Sequence, residues 1–139
     1  MAELNTDTRL VDLALLGERL SALRLCDRAA LAAMRRSLEE HGQLTALVVF
    51  PQDEQLELID GFKRLRAARA LGWRTLSARI VDVGSVDAKL RLRELHDGCG
   101  LTELEEAWLV RSLYRDDGLS QPEIARLLSR HKSWVWRRV

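Results

Sequence analysis

The run Asp97-Gly98-Cys99-Gly100 separates two stretches of chain that follow different rules. Before it, short apolar runs alternate between the spacing of strands and the spacing of helices; after it, only helical spacing recurs. Two glycines so close together interrupt either kind of element. A boundary is expected here, with residues 10–97 as an α+β unit and residues 101–139 as an all-helical one. The 139 residues suffice for one domain or two small lobes, and a hydrophobic fraction of 47% supplies their core.

In the first unit the opening ten residues are polar and expected to fray. Leu10 to Leu16 is apolar without a clear period and reads as a strand or a turn of helix. Asp27 can cap a helix in which Leu31, Met34 and Leu38 recur at helical spacing, with Gly42 as its stop. Leu44 to Phe50 reads as a strand, Pro51-Gln52-Asp53-Glu54 as a turn, and Gln55 to Ile59 as the return strand with Leu56 and Leu58 on one face. A second helix follows Asp60-Gly61, with Phe62, Leu65 and Ala68 on one side and Lys63, Arg64, Arg66 and Arg69 on the others. Gly72 ends it. Leu76 to Val83 reads as a third strand and Asp87 to His96 as a further helix.

Beyond the break, Thr102 and Glu105 have the spacing of a capping box, and so do Ser120 and Glu123. Asp116-Asp117-Gly118 ends the first of these helices. The second runs through Ile124, Ala125, Leu127 and Leu128 to a polar turn, Ser129-Arg130-His131. Lys132 or Ser133 then opens a last helix through Trp134, Val135, Trp136 and Arg137. A short helix, a tight turn and a second helix with basic residues outside make a helix-turn-helix. Ile124, Ala125 and Val135 are spaced to pack the two helices together, and Ala125 is small where they must approach. Of Trp134 and Trp136, one is expected in this core and one partly exposed. The sequence ends at Val139 inside the expected recognition helix, as a piece of a longer chain would.

The net charge of +1 hides a polarity, because residues 126–139 carry Arg126, Arg130, Lys132, Arg137 and Arg138 and no acid. Such a tail is an electrostatic footprint for phosphate, although a solvated basic end has the same composition. Ser120, Gln121, Arg130, His131, Lys132, Ser133, Trp134 and Arg137 are the candidate contacts to double-stranded DNA. A second constellation is Asp60-Gly61-Phe62-Lys63-Arg64. A strand that runs through glycine into a basic helix points N–H groups and a helix dipole at an anion; a merely solvated basic face fits the pattern too. Glu94 is the third, either a carboxylate for magnesium beside a triphosphate or a surface residue.

Other chemistries lack their residues. There is no P-loop and no Ser-His-Asp order, and His41, His96 and His131 lie on separate segments without metal spacing. Cys26 and Cys99 read as free thiols of a reducing compartment. The strongest apolar run, Leu44 to Phe50, is far shorter than the roughly 18 residues of a membrane span, and the N-terminus lacks the sections of a signal peptide. A cytoplasmic protein without a membrane partner is expected.

Three stretches, in order and spacing, resemble the ParB partition-protein family over residues 10–139. They are Ser37 to Val49, Leu58 to Ala68, and Glu103 to Ala107 followed by Leu119 to Val135. The resemblance implies a ParB/sulfiredoxin-like lobe with a mixed sheet and flanking helices, then a helix-turn-helix lobe. It implies that Gly61, Lys63 and Arg64 bind the triphosphate of CTP and that Glu94 binds nucleotide and magnesium. It also implies a clamp closed on DNA, a homodimer formed through a further domain, and a partition ATPase as partner. The chain departs from the family pattern at several positions. Phe62 replaces a glutamate, Leu95 an asparagine, and Gly98 falls where an arginine is usual. Lys63 keeps charge but loses the arginine fork. In the turn, Ser129 stands for glycine and His131 for serine. The missing polar groups count against CTP and magnesium as cofactors and against hydrolysis. The expected function is sequence-specific DNA binding in plasmid or chromosome partition, or in regulation of a mobile element, on the nucleoid or a plasmid. A CTP-hydrolysing clamp or a nuclease is the alternative. Sulfiredoxin-type repair needs a cysteine in the phosphate segment, where Phe62 and Lys63 stand.

Overall fold

In the computed structural model, which describes residues 8–95 and 101–139, the first part of the chain builds a mixed five-stranded sheet. Its strands are β1 (Thr8–Asp12), β2 (Leu16–Gly17), β3 (Leu47–Gln52), β4 (Gln55–Asp60) and β5 (Thr75–Ile80), in spatial order β1-β5-β3-β4-β2. β3 is central, antiparallel to β4 and parallel to β5. Successive strand residues face opposite sides, and Leu47 to Phe50 are all buried, so both faces of the sheet are covered. Helices α1 (Arg28–His41) and α2 (Phe62–Ala70) pack on each other, and α3 (Ser85–Glu94) touches β4. Then come α4 (Glu103–Arg115), α5 (Gln121–Leu128) and α6 (Lys132–Trp136).

Local signals act as their chemistry dictates. Asp27 accepts the Ala29 N–H at 3.0 Å to start α1, and Gly42, at φ 70°, ends it. Both capping boxes close, Thr102 with Glu105 and Ser120 with Glu123. The segment Leu10 to Leu16 supplies both expected forms, since β1 runs into a 3-10 turn (Leu13–Leu15) and then β2.

Several boundaries differ from expectation. β3 begins at Leu47 rather than Leu44, because the Gln43 amide takes the place of a strand. Its Oε1 accepts the Ser77 N–H at 2.7 Å and its Nε2 donates to the Ser77 carbonyl at 2.8 Å. Leu44 is left exposed. At its other end β3 continues through Pro51 and Gln52, and the turn is only Asp53-Glu54, at φ 50° and 67°. Two left-handed residues make the turn that suits a tight hairpin. Pro51 is tolerated because β3 reaches past β5, whose pairing stops at Val49–Ile80. β5 ends at Ile80 rather than Val83, where the chain turns with the Val83 N–H on the Val81 carbonyl at 3.1 Å. α3 starts at Ser85 and ends at Glu94. The expected boundary at residues 97–100 lies outside the described residues.

Glu57, between Leu56 and Leu58, is fully buried. The Arg19 N–H donates to its Oε1 at 3.0 Å, and Arg19 Nε lies 3.4 Å from Oε2. Gly17 makes room, since a Cβ there would stand 2.2 Å from Oε2. Two cations of the basic α2 also have structural work. Arg66 Nε and Arg69 Nη1 donate to Glu18 at 3.1 and 2.6 Å, and Arg69 Nη2 donates to the carbonyls of Leu13 and Leu16.

Ion pairs join the C-terminal helices to the sheet-bearing part. Lys89 of α3 meets Asp117 at 2.5 Å, with both side chains under 10% exposed. Arg24 meets Glu105 at 3.1 Å, and Arg93 meets Glu106 at 2.7 Å.

Candidate nucleic-acid interface and anion pocket

α5 and α6 meet through Ile124, Ala125, Leu128 and Val135, each at most 5% exposed. The turn between them is a Schellman motif. Ser129 is left-handed at φ 56°, the Arg130 N–H reaches the Ala125 carbonyl at 2.8 Å, and the Ser129 N–H reaches Arg126 at 3.3 Å. His131 then caps α6, its Nδ1 accepting the Ser133 N–H at 3.1 Å. Local chemistry thus fixes both sides of the turn, and Arg130, His131, Lys132 and Ser133 are left exposed on it.

The predicted contact residues are not all alike. Arg130 lies over the Trp134 ring at 4.6 Å, and Arg138 lies over it at 3.9 Å. Trp134 is half-buried, whereas Trp136 is 67% exposed, the division expected of the pair. A ring covered by guanidinium groups holds those groups in place by cation–π attraction. Ser120 is engaged in its own cap with Glu123, Gln121 is half-buried at the start of α5, and Arg137 is exposed at the end of α6. Sequence reasoning counted Arg138 in the basic tail but not among the candidate contacts, and it gave Glu106 no role. Glu106 lies 3.4 Å from Arg130, a pairing across 24 residues that no local pattern announces.

The candidate anion pocket forms where β4 enters α2. Gly61, Phe62, Lys63, Arg64, Arg66 and Cys26 are among the residues around a cavity of about 120 Å³. Gly61 has φ 107°, and a Cβ there would lie 2.4 Å from Leu47 Cδ2 and 3.2 Å from Arg64 Nη1. Arg64 Nη1 is buried without a hydrogen-bond partner. A buried guanidinium nitrogen left unsatisfied is costly and suits an incoming acceptor. For Arg66, burial works to lower the pKa, but Glu18 and the Cys26 thiol outweigh it, and the pKa is raised overall.

Glu94 is not brought to this pocket. It is exposed and lines a separate cleft with Val83, Asp87, Leu90, Arg91 and Leu95. Phe62 is 9% exposed and belongs to the hydrophobic core, where it offers no carboxylate. Among the described residues no three His, Cys, Asp or Glu side chains group as a metal site. Gly61 and Arg64 therefore fit a phosphate group. The enclosed part of the cavity, about 120 Å³, is on the scale of a phosphate group rather than of a whole nucleotide. Cys26 is an exposed free thiol, and Cys99 lies outside the described residues. No helix among the described residues is long and apolar enough to cross a membrane.

The chain as a whole is similar to known proteins. The family profile of the ParB N-terminal domain matches residues 3–94. A nucleoid occlusion protein from Shouchella clausii is 29% identical over 138 residues, 96% of this chain and 49% of the relative. The chain thus spans about half the length of that curated relative. The C-terminally truncated chromosome-partitioning protein ParB of Caulobacter crescentus, complexed with CTP-gamma-S, superposes with a TM-score of 0.58 at 22% identity, covering 92% of this chain and 74% of that one. The same protein complexed to the centromeric parS site gives 0.53 at 20% identity, covering 94% and 69%. With a matching profile across most of its length and the same fold, the chain belongs to the ParB family.

Proposed function

We propose that the chain reads double-stranded DNA through α5, the turn and α6, as part of a partition or nucleoid-occlusion protein. The turn carries the reading. A Schellman motif and a histidine cap hold four exposed polar residues, two of them always cationic, above an apolar helix–helix contact. Arg130 and Lys132 contact phosphate; His131 and Ser133, at the start of α6, are placed to reach base edges. Support comes from the relative complexed to parS. We divide the chain at residues 97–100 into a ParB-type unit and a DNA-reading unit. Homodimerisation and a partition ATPase belong to the same proposal. Selection of bound sequences from a random duplex pool tests it: a palindromic consensus is expected, and absence of enrichment overturns it.

A second property rests on Arg64. Its unsatisfied Nη1 beside Gly61 supports binding of a nucleotide phosphate, as in the relative complexed with CTP-gamma-S. Gly61 would let the backbone approach the phosphate, Lys63 would supply charge, and Arg64 would donate to it. With Phe62 buried and Glu94 in another cleft, no hydrolytic step is assigned. Calorimetric titration of CTP with and without magnesium should give weak binding without turnover; turnover would overturn this reading.

A further inference from the structure

One carboxylate touches both the sheet-bearing part and the DNA-facing turn. Glu106 of α4 accepts Arg93 Nε at 2.7 Å through Oε1, and its Oε2 lies 3.4 Å from Arg130 Nη2. Arg93 belongs to α3, and Arg130 stands between α5 and α6. The Glu106 side chain is 13% exposed, whereas Arg130 is 42% exposed and open to solvent on the side away from Glu106 and Trp134. The distances rank the two contacts: a short charge-assisted bond to Arg93 and a long ion pair to Arg130.

A DNA phosphate seeks the same Arg130 guanidinium and carries the same sign as Glu106. We propose that Glu106 competes internally with phosphate for Arg130, and that Arg93, by neutralising Glu106, sets how strongly it competes. This rests on the DNA reading above. With Arg93 in place the hold on Arg130 is weak and easily displaced. Without Arg93, Glu106 grips Arg130 more firmly and repels phosphate. Removing Glu106 and removing Arg93 should therefore shift DNA affinity in opposite directions. The Trp134 ring keeps Arg130 near its place once the carboxylate is gone.

The test is affinity for a duplex of random sequence at fixed salt, with melting followed in parallel. Glu106→Gln should bind roughly two- to fivefold tighter, the range of an exposed ion pair. Arg93→Gln should bind about twofold weaker, and that loss should vanish when Glu106→Gln is also present. In an Arg130→Gln background the Glu106→Gln gain should disappear. Glu103→Gln, an exposed acid on the same helix, measures the general effect of removing a negative charge. A gain no larger than that of Glu103→Gln, or one that persists without Arg130, overturns the proposal. If Glu106→Gln melts, Arg93→Gln with and without Arg130 carries the same comparison. If neither wild type nor Glu106→Gln binds duplex DNA, the DNA reading itself fails; if wild type binds but no variant shifts, only this inference fails.

Discussion

Glu105 accepts the backbone N–H of Leu25 at 2.7 Å, across 80 residues of sequence. The same Oε2 receives Arg24 Nε at 3.1 Å, while Oε1 closes the capping box on the Thr102 N–H at 2.9 Å. One buried carboxylate thus caps α4 and ties it to the segment that borders the anion pocket. Glu105→Ala would leave Arg24 and two backbone donors without this acceptor. Breaking a buried pair from one side costs about 3–5 kcal/mol. Urea unfolding should show a loss in this range; a loss under about 1 kcal/mol, the size of a surface pair, would contradict it.

The same carboxylate predicts a pH dependence. Burial pushes the Glu105 pKa up, but the N–H groups of Leu25 and Thr102 and the Arg24 guanidinium outweigh it, and the net shift is downward from 4.5. A group depressed in the folded state stabilises fully above its unfolded value and loses that contribution as pH falls through the folded value. Stability should therefore decline below about pH 4.5. Glu123, also lowered by its bonds with Ser120, adds in the same direction. Urea midpoints measured from pH 6 to pH 3 should fall less steeply for Glu105→Gln than for wild type; equal slopes would exclude Glu105 as a source.

Glu105 also marks the limit of what the sequence discloses. Its capping role is legible because Thr102 stands three residues away, as Ser120 stands from Glu123 and Asp27 from its helix. The partner of its second oxygen is not, because nothing local names Leu25. Gln43 pairing with Ser77, Glu57 buried against Arg19, and Arg66 and Arg69 spent on Glu18 are all contacts across 34 or more residues. These set strand ends and decide which cations remain for a ligand. The order along the chain points to Glu94 as a partner of Gly61, yet Glu94 lies in a different cleft.

Gly61 gives a sharp test of the anion pocket. Its φ of 107° disfavours any side chain, and a Cβ would stand 2.4 Å from Leu47 Cδ2 and 3.2 Å from Arg64 Nη1. Gly61→Ala should cost about 1–3 kcal/mol in backbone strain and should reduce phosphate or CTP binding at least as far as Arg64→Ala does. Arg64→Ala should cost little stability, since it removes an unsatisfied buried nitrogen. Calorimetry beside thermal melting separates the two effects. Retained binding in Arg64→Ala would remove that residue from the site.

At the turn between α5 and α6, Arg130→Ala and Lys132→Ala should each weaken the proposed DNA binding across all sequences. A cation that neutralises one phosphate adds about one to the slope of log affinity against log salt, so each variant should show a slope shallower by about one. Unchanged slopes in both variants would show that neither side chain meets phosphate.

Two substitutions at the helix junction should move stability in opposite directions. Ser129 holds a left-handed conformation at φ 56°, ψ 45°, which costs an L-residue roughly 1–2 kcal/mol that glycine avoids. Its gain is partly offset by the extra freedom of glycine in the unfolded chain, so Ser129→Gly should stabilise by about 0.5 kcal/mol. Ala125 is 5% exposed in the core that α5 and α6 share, so a charge placed there would be buried. Ala125→Glu should therefore unfold the helix pair and abolish DNA binding, since a buried unpaired carboxylate costs several kcal/mol. Thermal melting followed by helical circular dichroism and by total tryptophan fluorescence reads both effects. An Ala125→Glu variant with wild-type melting and affinity would mean that α5 and α6 do not pack as a helix-turn-helix.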